Sequence, residues 1–296
     1  MKSIYIHIPF CNYICSYCDF CKKYAKNQNI DHYLEMLDDE IKLYLKDNIT
    51  VDTIYIGGGT PSVLNENQLE KLSKIVNKHF KLSGNYEFTM EFNPDNLEEE
   101  KLRIVKKMGV NRLSIGVQTV SDEINLENNR LHKLKDLKVG LKIASKYIEN
   151  ISLDFIFNLP NQEFSDIEDS IKFICDYDEY IKHISYYGLI LEKNTILDTK
   201  TFTLKDEEEE STWYKFIQKE LSNLGYIQYE ISNYGKKGYN SIHNQVYWDN
   251  KKYFGFGLGA SGYIDDLRYT NTMSLNDYYT KIKDKIKPIY IEDLIT

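Results

Sequence analysis

The chain has 296 residues and a formal net charge of −8, long enough for one large α/β unit or two ordinary domains around a substantial core. The acidic balance argues against nucleic acid as the main partner, because no basic excess exists to displace counterions. No apolar run reaches membrane-spanning length, and residues 1–10 lack the small-residue cleavage site of a signal peptide. A soluble, cytoplasmic chain is expected, with peripheral membrane contact left open.

Strand-like runs at 3–8, 53–56, 86–92, 112–117, 151–157 and 183–189 alternate with helix-like segments, the signature of a parallel sheet wrapped by helices. In the first helical segment Ile30, Tyr33, Leu34, Leu37, Ile41, Tyr44 and Leu45 share one face. These six repeats, joined by right-handed crossovers, predict an α/β fold: a six-stranded partial (β/α)6 barrel whose reactive end is where strands run out into loops. The acidic run 206–210 reads as the first turn of a last long helix over 206–224, with Trp213, Phe216, Ile217 and Leu221 inward. From Gly225 the pattern changes to short aromatic segments broken by glycines. Residues 1–224 therefore read as the barrel and 225–296 as a β-rich appendage. Cys175, beside Ile171 and Ile174, reads as a buried structural thiol.

The loops after the strands carry the chemistry. Four cysteines crowd into 11–21, which in a reducing compartment points to metal rather than disulfides. Cys11, Cys15 and Cys18 form C-x3-C-x2-C directly after a strand, and thiolates suit iron–sulfur clusters and zinc. A structural zinc site would be closed by four ligands, with Cys21 as the fourth; three thiolates on a cubane instead leave one iron open to an outside ligand. The run Tyr5-Ile-His-Ile-Pro-Phe-Cys11, followed by Cys15, Tyr17, Cys18, Asp19 and Phe20, resembles the signature of radical-SAM proteins. It is most similar to haem chaperones of the HemW type and to the oxygen-independent coproporphyrinogen oxidases. The resemblance implies a 4Fe-4S cluster on Cys11, Cys15 and Cys18, with S-adenosylmethionine (SAM) on the open iron. Cys21 departs from the spacing of the oxidases and is given no role.

Residues 57–62 place three glycines in a row, which permits positive φ and lets a ligand lie against bare backbone. Glu91 ends a strand candidate where a carboxylate can accept from an ammonium or from ribose hydroxyls. Gln118 is the polar stop of a buried strand, Arg130 can clasp a carboxylate in bidentate fashion, and Asp154 lies among apolar neighbours, where a carboxylate needs a partner. Singly, each reads as an ordinary surface or network residue. In order, they match the family pattern, and the resemblance assigns Gly58, Gly59, Thr60, Glu91, Gln118, Arg130 and Asp154 to SAM contacts, with Tyr5 and Tyr17 as aromatic neighbours of the cluster and adenine.

Further on, His243-Asn244-Gln245-Val246-Tyr247-Trp248 sets a histidine beside aromatic rings. Spacing alone favours a packed, hydrogen-bonded histidine. The H-N-x-x-Y-W segment, however, resembles the motif that marks the chaperone branch, and it implies that His243 is haem-linked. Three readings follow: a chaperone that binds haem and transfers it to acceptor proteins; a coproporphyrinogen III oxidase of porphyrin biosynthesis, in which a 5'-deoxyadenosyl radical drives loss of carbon dioxide from propionates; and a non-catalytic, metal-stabilised binding protein. The chaperone is preferred, because only four residues precede Tyr5 whereas the oxidases carry a long N-terminal extension. An electron donor for the cluster is implied as a further partner, no side chain is assigned as catalytic, and the usual C-terminal helical domain of the family is expected to be absent.

Overall fold

The computed structural model describes residues 2–294. The chain opens with β1 (Ser3–Ile8), then the short β2 (Phe10–Cys11), which pairs in parallel with β3 (Lys23–Tyr24) and so ties the two ends of the cysteine loop together. Helix α1 (Ile30–Tyr44) starts on Asn29, whose side chain accepts from the His32 N–H, and buries Ile30, Tyr33, Leu34, Leu37 and Ile41 along the face its periodicity predicts. Then come β4 (Ile49–Gly58), α2 (Glu66–His79) with an Asn65–Gln68 capping box, β5 (Phe80–Phe92) and α3 (Glu99–Met108), which Gly109 ends in the left-handed region. They are followed by β6 (Arg112–Gln118), α4 (Asp122–Glu127), α5 (Leu134–Ala144), β7 (Asn150–Phe157), α6 (Phe164–Asp176), β8 (His183–Gly188) and α7 (Glu207–Asn223). Asp206 caps α7 by accepting from the N–H groups of Glu208 and Glu209, as the acidic run suggested.

Strands β1, β4, β5, β6, β7 and β8 are neighbours in that order, all parallel, which is the expected α/β arrangement. Alternation along each strand divides its faces. Ile54, Ile56, Phe88, Met90, Leu113, Ile115, Leu153 and Ile184 are fully buried under the helices. The opposite positions are mostly polar: Thr53 and Tyr55, Glu87 and Glu91, Arg112 and Ser114, Ser152 and Asp154, His183 and Ser185. Parallel strands covered on both faces usually read as continuous apolar runs. Here the inner face is built for hydrogen bonds.

The remainder comprises β9 (Ile227–Gln228), β10 (Asn233–Gly235), α8 (Ile242–Trp248), β11 (Phe254–Phe256), β12 (Ser261–Ile264), β13 (Leu267–Asn271), α9 (Leu275–Lys283) and β14 (Ile289–Leu294). The last three strands form a separate antiparallel sheet, while β11 adds parallel to the outer edge of β1 and β10 with β9 add antiparallel beyond β8. Residues 225–294 thus form a small sheet of their own and also supply both edges of the large one. Cys175 is a correction: it is exposed on α6, because the helix turns Ile171 and Ile174 to the core and Cys175 away from it. Among the described residues no helix is long and apolar enough to cross a membrane.

Glu40 of α1 fastens the C-terminal region to the barrel. Fully buried, its carboxylate accepts from the Gly257 N–H (2.7 Å), the Asn271 side-chain amide (2.7 Å) and the Tyr278 hydroxyl (2.6 Å). Burial outweighs these bonds and lifts the carboxyl from 4.5 to about 7. Because the folded state holds the proton more tightly, this stabilisation is complete below pH 4.5 and is lost as pH rises through about 7. Glu40→Ala leaves three donors without an acceptor and is expected to cost about 3 kcal/mol or more. Glu40→Gln is expected to cost less and to flatten the fall in melting temperature across that pH window, measured by calorimetry.

Candidate functional site

The cysteine loop is fixed from below by His7. Its Nε2–H donates to the Cys21 carbonyl (2.7 Å) and its Nδ1 accepts from the Tyr5 hydroxyl (2.9 Å). Burial lowers His7 to about 4, so the ring is neutral and its tautomer is set by these partners. At the loop's ends Lys23 N–H bonds Pro9 and Ala25 N–H bonds Cys11. The middle leans on α4 through Ser16, whose N–H and hydroxyl donate to the carbonyl and side-chain oxygens of Asn128 (3.1 and 2.7 Å).

The glycine turn lies directly against this loop. Gly58 has φ +115°, and its N–H donates to Glu91 (3.0 Å), which also accepts from the Tyr55 hydroxyl (2.8 Å). A Cβ on Gly59 would sit 2.8 Å from the Pro9 carbonyl carbon and 2.9 Å from the Cys11 sulfur; only glycine allows the two segments to meet so closely. Thr60 completes the seam, its N–H on the Phe10 carbonyl (2.8 Å) and its hydroxyl on the Cys11 sulfur (3.5 Å).

These segments roof a cavity of about 460 Å³ at the outgoing ends of the strands. Cys11, Cys15, Cys18, Tyr17, Gly58, Gly59, Thr60, Glu91, Gln118, Arg130 and Asp154 all line it. Gln118 reaches it through a register break in β6 that leaves it at φ 66°. Arg130 is buried, with Nη2 on the Asn93 side chain (3.1 Å) and the Gly116 carbonyl (2.5 Å) and Nη1 on the Cys15 sulfur (3.5 Å). Asp154 accepts from Ser114 (2.7 Å) and Ser152 (3.3 Å).

Two predicted residues stand elsewhere. Tyr5 lies off the cavity wall, bonded to His7. His243 is fully buried off the wall as well, with Nδ1 on the Thr53 hydroxyl and Nε2 on the Tyr247 hydroxyl, both at 2.8 Å. Its neighbour Asn244 lines the cavity instead. Sequence reasoning missed Tyr13, Ser114, Ser185 and Tyr187, which also line it; polar residues at every second place of β6 and β8 were the available signal.

Burial raises Glu91 to about 7, opposed by the Tyr55 bond and reinforced by Asp154; Asp154 is raised mainly by burial. Burial also lifts the Cys11 and Cys18 thiols to about 11; binding a metal displaces their protons. Among the described residues no three His, Cys, Asp or Glu side chains are gathered tightly enough for a single ion. A cubane spreads its thiolates over separate irons and has room for that wider spacing. Two buried polar atoms on the cavity wall, Arg130 Nε and the Tyr17 hydroxyl, have no partner, which fits a site shaped around a polar ligand.

A three-cysteine loop closing a parallel β/α sheet beside a glycine turn defines a radical-SAM protein. In agreement, residues 5–174 match the model of the radical SAM superfamily, whose members hold a 4Fe-4S cluster and SAM. The chain is 43% identical over 293 residues to the heme chaperone HemW of Bacillus subtilis, covering 96% of this chain and 77% of that one. With HemW of Lactococcus lactis identity is 38% (94% and 73% covered), and with that of Escherichia coli 35% (88% and 70%). The chain belongs to the HemW family of the radical SAM superfamily. Its fold is also that of the E. coli coproporphyrinogen III oxidase HemN, with a TM-score of 0.88 at 22% identity, over 100% of this chain and 72% of that one.

Because the seam at Gly59 has no space for a methyl group, Gly59→Ala is expected to displace Cys11 and to cut iron and sulfide content after anaerobic reconstitution severalfold, with helix content by circular dichroism unchanged. Full iron loading of this variant would show that the seam does not govern cluster binding.

Proposed function

We propose that this chain is a haem chaperone that binds haem and hands it to acceptor proteins, with a 4Fe-4S cluster and SAM held in the cavity. The observation that carries the reading is the convergence of Cys11, Cys15 and Cys18 with the glycine turn, Glu91, Gln118, Arg130 and Asp154 on one cavity in a chain of the HemW family. When bound and reduced by an electron donor, the cluster supplies the electron that cleaves SAM. Cys11, Cys15 and Cys18 would anchor it, with the amino and carboxylate groups of SAM held beside it. Arg130 offers its partnerless Nε to that carboxylate, Glu91 and the Gly58–Thr60 backbone face the ammonium, and Asp154 and Gln118 take the ribose hydroxyls. Tyr17 borders the cluster and adenine, while Tyr5 acts through His7 by holding the loop.

For haem, the reading draws on the apolar mouth of the cavity and on α8. Phe20 and Ile190 line the mouth and are 65% and 72% exposed, a surface suited to a porphyrin face. Helix α8 brings Asn244 to the wall and leaves Trp248 59% exposed. His243 is haem-linked through the helix it anchors, since both of its ring nitrogens are engaged. Residues 1–224 would thus carry the cluster site and 225–296 the haem-linked helix. The cytoplasm, where thiols stay reduced for cluster assembly, suits this chemistry.

Anaerobic purification with iron and sulfide assay tests the cluster: a brown iron–sulfur protein is expected, lost on Cys15→Ala, and a colourless zinc protein would overturn the reading. Glu91→Gln is expected to weaken SAM binding to the reconstituted protein about tenfold, the order of one charge-assisted hydrogen bond. In haem titrations Trp248→Ala should weaken binding at unchanged melting temperature, and His243→Ala should lower both. Equal haem binding by wild type and both variants would remove α8 from the haem site.

A further inference from the structure

We propose that Arg112 is a positioning residue for the SAM site: from beneath the cavity, its buried guanidinium supplies the positive field that offsets the paired negative charge of Glu91 and Asp154. Its functional meaning rests on the reading of those carboxylates as SAM contacts.

Strand alternation carries the geometry. Arg112, Ser114 and Gly116 share the inner face of β6, and Ser114 and Gly116 already line the cavity. Ser114 lies level with Glu91 on β5 and bonds Asp154 on β7; Arg112 is one layer deeper, level with Thr89 and 1% exposed. Its Nη2 meets His183 Nδ1 at 3.3 Å, while Nε and Nη1 have no hydrogen-bond partner. His183 cannot balance the charge. Its Nδ1 also faces the Ser152 hydroxyl and its Nε2 the Tyr229 hydroxyl, both at 2.8 Å, and burial together with Arg112 holds the ring neutral.

A buried cation without a bonded anion is costly, and so are two buried carboxylates that repel each other. The arrangement offsets both costs at once. Glu91 is faced by Tyr55 on β4, Tyr5 on β1, Tyr247 on α8, Asp154 on β7 and Arg112 on β6. Around Asp154 stand the hydroxyls of Ser114, Ser152 and Ser185, with Tyr55, Tyr187 and Arg112. Of these groups Arg112 is the cation, and its field favours the charged form of both acids against their burial. Arg130, the other cation of the site, has its Nη groups on the Cys15 sulfur, Asn93 and Gly116.

The test is an infrared titration of the reconstituted protein without SAM, following the protonated-carboxyl band that Glu91→Gln abolishes. Wild type should titrate near about 7; in Arg112→Gln the midpoint should rise by about one pH unit or more, and Arg112→Lys should return it toward wild type. An unchanged midpoint in folded Arg112→Gln overturns the proposal. Should that variant not fold, Arg112→Met is made in wild type and in the Glu91→Gln/Asp154→Asn background. Folding restored, or a smaller loss of melting temperature, in the neutral background supports the charge coupling; equal loss in both backgrounds overturns it. SAM affinity at pH 7 separates the two readings. A shifted midpoint with unchanged affinity sinks Glu91 as a SAM contact and leaves Arg112 its role, whereas weaker affinity at an unshifted midpoint sinks the role of Arg112.

Discussion

The site depends on one contact, the approach of the Gly57–Gly59 turn to the Pro9–Cys11 backbone. At that seam the end of β4 touches the loop following β1 with no room for a side chain on Gly59. The Cys11 thiol, glycine backbone and Glu91 are thereby held against each other by main-chain geometry rather than by flexible side chains. The cysteines and the residues proposed to contact SAM, drawn from separate β/α units, consequently share one wall.

Beneath the seam, the sheet departs from an ordinary parallel core. Its outer face is close-packed hydrocarbon, and its inner face is a stack of hydroxyls, carboxylates, imidazoles and one guanidinium. The helices can be held by apolar burial alone, which leaves the inner face free to specify charge. Glu87 shows how far that extends. From β5 it accepts from Ser241 and from the N–H groups of Ile242 and His243 at the start of α8, so an acid of the barrel floor fixes the helix bearing the H-N-x-x-Y-W segment, in the orientation the helix dipole favours.

How much of this could be read from the chain follows from the range of the interactions. The six parallel strands were legible because each is long enough to show its alternation, and the cavity residues because, taken in order along the chain, they match the family pattern. Tyr5 and His243 were legible as residues of interest, but their partners were not. His243 is committed to Thr53, 190 positions away, and no local pattern announces such a pairing. The edge strands β9, β10 and β11 have two or three residues each, too few for any period to register. Cys175 was misread because neighbouring apolar residues on a helix do not share its side.

The pairing of β11 with β1 sets an order of events. The strand that leads into the cysteine loop is among the first made, yet its outer edge stays open until Phe254–Phe256 arrives to cover it. During synthesis that edge exposes unpaired backbone beside the cysteine loop, a hazard for cross-chain association. Closing it takes a segment from far along the chain, so the edge that leads into the cysteine loop is protected only once β11 has docked beside β1.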